Sequence, residues 1–327
     1  MPDGTPVYKV TLQNGELSVS FITYGGTVTE ILFGGRDLAL GYNSLSEYLA
    51  DTSSIGVTVG RYANRIAGGL FTLGGKTFDV GCNEAGRGHL HGGEFGFQKR
   101  VWDIAELNDS SATIHYLSPD GEMGYPGTLD VYVTFTVTED NEFKITYSAT
   151  SDEDTVLNLT NHTYFNLGGG DVLDTELLIN ADAILLVDEV LIPTGEYMSV
   201  ENTPFDFRTA KPIGRDINGD HPQLKICGGY DHNFCLGDKC EYRHAATAKS
   251  PKTNIKMECY TDQPGIQLYT GNFLETDCGK DGAMERFGGF CLETQHYPDS
   301  PNNPHFPTTV LKAGATFESV TGYKFSK

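Results

Sequence analysis

Apolar and polar residues alternate with a period of two along most of the chain. Leu129, Val131, Val133, Phe135 and Val137 alternate with Asp130, Tyr132, Thr134, Thr136 and Thr138. Beyond a turn at residues 139–142, Phe143, Ile145 and Tyr147 alternate with Lys144, Thr146 and Ser148. Successive side chains of a strand point to opposite faces, so this spacing predicts an antiparallel hairpin with one face on a core. LFTLGGKTFDV, from Leu70, predicts a second hairpin at Gly74-Gly75, where glycine reaches the positive φ a tight turn requires. A final strand is expected near Thr316–Phe325, after the loop PDSPNNPHFP, and only Leu45–Leu49 reads as weakly helical. The 39 glycines and 14 prolines are spread widely and leave little room for long helices. No internal repeat, low-complexity linker or boundary interrupts the pattern. The expectation is one domain, residues 1–327, of all-β class: a large antiparallel β-sandwich.

Composition narrows the partners. A formal charge of −21 repels phosphate backbones and anionic lipid, so no nucleic acid and no membrane partner is expected. A neutral ligand tolerates this charge, whereas a phosphorylated one needs a local Arg or Lys cluster. No stretch has the apolar length to cross a bilayer, and MPDGTPVYKV lacks the basic start and apolar core of a signal peptide. The seven cysteines include no C-x-x-C pair and are expected as free thiols of a reducing compartment. Two Asn-x-Thr sequons, at Asn158 and Asn161, adjoin the polar cluster described next, where a glycan would be ruinous. These features agree on a cytoplasmic protein.

The alternation breaks at five polar clusters, each at a strand end. TNHTYFNLGGG, residues 160–170, crowds Asn161, His162, Tyr164 and Asn166 ahead of three glycines. GRYANRI, residues 60–66, sets Arg61 and Arg65 around Asn64; solvated arginines on a strand edge are the plain alternative there. GHLHGGEFGF, from Gly88, holds His89 and His91 two apart, one face of a strand, which invites a metal. No third ligand follows from spacing, and the Gly-Gly bend after His91 equally lets a small ligand approach the backbone. Asp231, in GGYDHNFCL, reads as a turn former or as a functional carboxylate. In FCLETQHYPDS, Glu293 shares its strand face with Cys291, and a carboxylate on a core-facing strand end is costly unless hydrogen-bonded or needed. Together the clusters suit a polar, uncharged, hydroxyl-rich ligand such as a sugar.

The blocks GRYANRI, HLHGG, TNHTYFNLGG, DHNF, QPGIQLYTGNF and LETQHYPD…NNPHFP, in this order, resemble the signature blocks of the aldose 1-epimerase (galactose mutarotase) family, from about residue 20 to the C-terminus. The resemblance implies the family's large sandwich of stacked antiparallel sheets, with a sugar cleft, and the interconversion of α and β anomers of free aldoses such as galactose and glucose. It implies that His162 is the general acid and Glu293 the general base. Asn64, Arg65, His91, Tyr164, Asp231 and Gln267 then bind the sugar. His89 and Arg87, just before the His91 block, depart from the usual pattern, as does alanine in the Lys312-Ala313-Gly314 turn.

Mutarotation takes one proton from the anomeric hydroxyl and delivers one to the ring oxygen. The C1–O5 bond opens, C1–C2 rotates, and the ring closes in reverse. One base and one acid across the ring suffice, with hydroxyl clamps holding the other carbons. No cofactor and no metal is required. A His of ordinary pKa is expected to be kept charged by the field of Glu293. Three rival readings remain: a hexose-6-phosphate 1-epimerase on the same fold, a non-catalytic sugar-binding protein, and a glycoside hydrolase using Asp231 and Glu293.

Overall fold

A computed structural model describes residues 1–84, 87–237 and 241–327. Its largest sheet has nine strands, all paired antiparallel: Asp103–Leu107, Ser111–Ser118, Leu129–Val137, Glu142–Ser151, Thr316–Ser326, Lys256–Thr261, Arg243–Lys249, Glu176–Ile179 and Lys211–Pro212, in that spatial order. The expected hairpin is its centre, with Val133 opposite Tyr147 and Phe135 opposite Ile145. The apolar set from Leu129 to Val137 is buried, as the alternation demands. It packs on a four-stranded sheet running from Lys9 to Asp37, where the Phe21 and Phe135 ring centroids are 4.7 Å apart. One apolar cluster extends from Val10 through this contact to Phe325.

A five-stranded antiparallel sheet carries two of the five polar clusters, those of Asp231 and Glu293. Its order is Pro193–Ser199, Ala183–Val187, Asp231–Cys235, Gly265–Tyr269 and Cys291–Gln295. Alternation sorts the last three strands cleanly. Phe234, Ile266, Leu268 and Leu292 join the main core. The opposite face is polar and registers in three rows: Asp231, Tyr269 and Cys291; Asn233, Gln267 and Glu293; Cys235, Gly265 and Gln295. Glu293 therefore projects away from the main core, between Cys291 and Gln295.

The hairpin Leu70–Leu73 to Lys76–Asp79, the helix Leu45–Ala50 and the last strand lie where the sequence puts them. A second helix, Pro222–Cys227, was not expected; His221 caps it, proline opens it and Gly228 closes it at φ +65°. Among the described residues no helix is long and apolar enough to cross a membrane, and Cys82, Cys227, Cys259, Cys278 and Cys291 are free thiols.

Arg61 is neither solvated nor part of a ligand site. Its guanidinium is buried and donates five hydrogen bonds, to Ser118 Oγ and to the carbonyls of Ser118, Pro119, Pro126 and Gly127. It gathers the loop around Pro119–Gly127 against the strand end at Ser118. Arg61→Met should leave those acceptors unsatisfied and lower unfolding free energy by about 3 kcal/mol or more. Chemical denaturation checks this, and a loss under about 1 kcal/mol contradicts it.

Candidate active site

His162 is set by its backbone. Thr160–Asn161 pairs with Thr58–Val59, His162 N–H donates to the Val57 carbonyl, and Gly56 N–H donates to the His162 carbonyl. A reciprocal pair of hydrogen bonds between Phe165 and Phe290 then pins the segment beside the Cys291–Gln295 strand. The asparagines around His162 are scaffolding. Asn161 donates to the Gly56 carbonyl and accepts from the Thr163 N–H and hydroxyl. Asn166 accepts from Gly168 and Gly169 N–H and donates to the carbonyls of Gly170 and Gly288, closing the glycine turn. Tyr164 hydroxyl donates to the Ser53 carbonyl, while its ring packs on His162 at 5.0 Å between centroids.

The imidazole thus faces the sheet, with His162 Nε2 3.7 Å from Glu293 Oε1. Its other nitrogen, Nδ1, lies 3.6 Å from the Cys291 thiol. His91 stands edge-on to His162, ring centroids 5.2 Å apart. Around this centre a cleft of about 230 Å³ is lined by Asn64, Arg65, His91, His162, Tyr164, Asp231 and Glu293, together with Glu84, Tyr269 and Phe273. Gln267 sits in the same row as Glu293 and donates from Nε2 to Asp231 Oδ1 at 2.6 Å. All eight residues singled out in the sequence converge here. A cavity of about 270 Å³ adjoins across Ser54 and His91, and a larger one of about 610 Å³ near Arg36 and Arg286 contains none of them.

Four expectations change on contact with the geometry. His89 and His91 do not share a face: the strand ends at Leu90 and His91 takes φ +52°. His89 turns into the interior, bonding the Gly81 carbonyl and packing on Tyr125. The Gly-Gly bend serves the protein backbone and not a ligand, since a Cβ on Gly92 would sit 1.8 Å from the Gly60 carbonyl oxygen. Asp231 is no turn former; its carboxylate accepts from Gln267 across the sheet. Arg65 is no free cation either, because Glu84 takes two of its N–H groups at 2.8 Å each. Glu84 carried no sequence signal. Tyr269 did, two positions beyond Gln267 and so on its face, and Phe273 closes the same sequence block with 64% of its surface exposed.

Burial also inverts the expected protonation. It lowers the His162 pKa to about 4, so the imidazole is neutral at neutral pH. Burial, helped by the Asp231 carboxylate and opposed by Arg65, raises Glu293 well above the ordinary carboxylate range. Both shifts run towards the neutral forms, so burial favours the proton on the carboxyl over the imidazole, and the field of Glu293 does not hold His162 charged. Asp231 is likewise pushed up by burial, against the pull of Arg65. At Arg65 burial acts downward, but the Glu84 hydrogen bonds offset it and the pKa stands above its usual value.

His91, His162 and Glu293 offer ligand atoms within 4.8 Å of one another, the third group that spacing did not supply. The tautomer opposes a metal. Asn64 N–H donates to His91 Nδ1 at 3.2 Å, which leaves the ring proton on Nε2, whereas a metal-bound imidazole keeps its ligating nitrogen bare and donates from the other. His91 is fixed as a donor into the cleft. Facing it, Glu293 presents its carboxylate, and Gln267 Oε1 is a buried acceptor with no partner among the described residues. Donors and acceptors in this arrangement match hydroxyl groups, each of which gives and takes a hydrogen bond.

The sequence profile of the aldose 1-epimerase family matches residues 8–324. Bovine galactose mutarotase is 44% identical over 98% of this chain and 94% of its own length. The aldose 1-epimerase of Haemophilus influenzae is 41% identical over 99% and 97%. Among solved structures, an aldose epimerase homologue from C. elegans superposes with a TM-score of 0.92 at 30% identity, covering 98% of this chain and 99% of that one. Galactose 1-epimerase from Lactobacillus acidophilus gives 0.89 at 30% identity, covering 99% and 96%. The chain belongs to the aldose 1-epimerase family.

Proposed function

We propose that the cleft interconverts the anomers of free aldoses such as galactose and glucose, with Glu293 as general base, His162 as general acid and the neighbouring polar groups clamping hydroxyls. The observation that carries this is the 3.7 Å approach of His162 Nε2 to Glu293 Oε1 within a cleft of buried donors and acceptors. The two groups stand side by side, not across the ring. That suits the reacting atoms, since the anomeric oxygen and the ring oxygen are bonded to the same carbon.

Glu293 takes the anomeric proton, the C1–O5 bond breaks as the C1 carbonyl forms, and His162 protonates O5. After rotation about C1–C2, His162 takes the O5 proton back, O5 attacks C1, and Glu293 returns a proton to O1. Ring opening starts with the proton on His162 and ends with it on Glu293, which is the arrangement burial favours in the free site. The buried surroundings thus favour the ring-opened stage. One proton serves both groups, so the pH limits belong to the pair and not to either residue. The same pKa order favours a second reading, in which protonated Glu293 is the acid and His162 the base. A sugar complex with O5 on Glu293 selects that one.

His91 donates into the cleft, Gln267 Oε1 accepts, and Asn64, Asp231 and Arg65 fix hydroxyls, with Tyr164 buttressing His162. A hexose-6-phosphate fits less well, because the cation lining this cleft, Arg65, is already paired with Glu84. We place the protein in the cytoplasm: the free thiols of Cys82, Cys227, Cys259, Cys278 and Cys291 suit a reducing compartment, and both sequon asparagines are buried with their amides bonded.

Glu293→Gln keeps the side-chain shape but cannot accept the proton. It should bind sugar and lose about two to four orders of magnitude in kcat, with His162→Gln similar and the double variant losing less than the product. Background-corrected polarimetry on folded protein checks this, and Glu293→Gln within threefold of wild type contradicts it. The profile of kcat/KM against pH should be bell-shaped, falling below the pair's lower macroscopic pKa, where both groups are protonated, and above the upper, where neither is. Asp231→Asn and Arg65→Ala should chiefly raise KM, with some loss of kcat because clamping also positions the transition state. Unchanged constants in either variant remove that residue from the site. Prolonged chelation should leave activity intact, and a loss restored by zinc contradicts the tautomer argument.

A further inference from the structure

Behind Glu293 lies a layer of amides that the reaction scheme does not use. Asn233 and Gln295 occupy the polar face of the five-stranded sheet, Asn233 in the row of Gln267 and Glu293, Gln295 two residues beyond Glu293. They are 2% and 0% exposed, yet neither amide has a partner at oxygen or nitrogen among the described residues. Gln267 Oε1 and Glu293 Oε2 in the same rows are also unpartnered. That makes six orphaned polar atoms on four adjacent side chains of one sheet face.

Gly265 explains how the layer closes up. It is the direct cross-strand neighbour of Gln295, and a Cβ there would lie 2.5 Å from Asn233 Oδ1 and 3.0 Å from Asn233 Nδ2. The Asn233 amide therefore leans over Gly265 into the space beside Gln295. A side chain at 265 would separate the two amides. Buried amides left unpaired are costly, and buried groups of this kind are satisfied through each other and through ordered solvent.

We propose that Asn233 and Gln295 are positioning residues for Glu293: with Glu293 Oε2 they form one solvent-bridged hydrogen-bonded layer that orients the carboxylate and stabilises its charged form. The inference rests on the acid–base reading above. It assigns the layer a definite effect. A hydrogen bond to the carboxylate favours ionisation, and burial without one opposes it. Removing the layer should make Glu293 hold its proton more tightly and shrink the fraction of enzyme with the proton on His162. Both consequences follow from one change, so they should match in size.

The test is Gln295→Met, similar in length and without polar atoms, measured by polarimetry across pH with galactose. The ionisable groups facing Glu293, namely His91, His162, Arg65, Asp231, Tyr164, Tyr269 and Cys291, with Tyr323 beyond, stay in place. Plateau kcat/KM should fall about tenfold while the alkaline limb moves up by about one pH unit, the same factor read twice. KM should stay within about twofold, because neither amide reaches the cleft surface. A fall with an unmoved alkaline limb means simple structural damage and overturns the proposal, as does an unchanged profile. Should Gln295→Met not fold, Gly265→Ala decides on the same criteria, since its Cβ displaces the Asn233 amide without deleting a polar group. A Glu293→Gln enzyme that stays active defeats the acid–base reading. An inactive Glu293→Gln beside an unaffected Gln295→Met defeats this inference alone.

Discussion

The structure turns on burying an imidazole and a carboxyl together, 3.7 Å apart, at the edge of a sheet. Neither group alone is at ease there: desolvation pushes the His162 pKa down and the Glu293 pKa up, in both cases towards the neutral form. A single proton then has two nearby homes, and moving it between them needs no change in the net charge of the site. This is the requirement of a reaction that moves one proton off O1 and one onto O5 of the same ring. The sandwich exists, in functional terms, to hold two strand ends in that relation. One end is the Thr160–Asn161 pairing with Thr58–Val59; the other is the Cys291–Gln295 strand.

Much of the surrounding polarity serves this placement and does not meet a ligand. Asn161, Asn166 and Arg61 spend their hydrogen bonds on backbone carbonyls and amides. Asn64 N–H fixes the His91 tautomer, which turns a possible metal ligand into a hydroxyl donor. Glu84 neutralises Arg65 from the rim. The cleft that results is polar but nearly balanced in charge, which fits an uncharged ring with a hydroxyl on most carbons better than a phosphate ester.

The sheets were legible because period-two alternation survives wherever one face is buried, as between Leu129 and Tyr147. His162 and Glu293 were legible because each breaks the alternation at a strand end among polar neighbours. The expected core-facing side was wrong for Glu293, which projects away from the main core because its neighbours Leu292 and Thr294 take the other face. What the residue pattern, without the family resemblance, could not separate was Arg61 from Arg65, four residues apart. Their fates depend on carbonyls at residues 118–127 and on Glu84, which only the fold brings near. His89 and His91 were paired wrongly because the spacing rule assumes a continuing strand, and this one stops at Leu90. The protonation of the pair was misread for a related reason. Burial depth is a property of the fold, and it outweighed the field of the neighbouring carboxylate.

The claim that burial, and not ion pairing, governs the proposed acid–base pair can be read directly from the imidazole. Nitrogen-15 NMR of histidine-labelled protein, with the His162 signals assigned by their loss in His162→Gln, reports the charge of that ring as pH is lowered. The account predicts neutral-imidazole shifts at pH 7 in the free protein, persisting until close to pH 4. An imidazolium signal from His162 at pH 7 would contradict it.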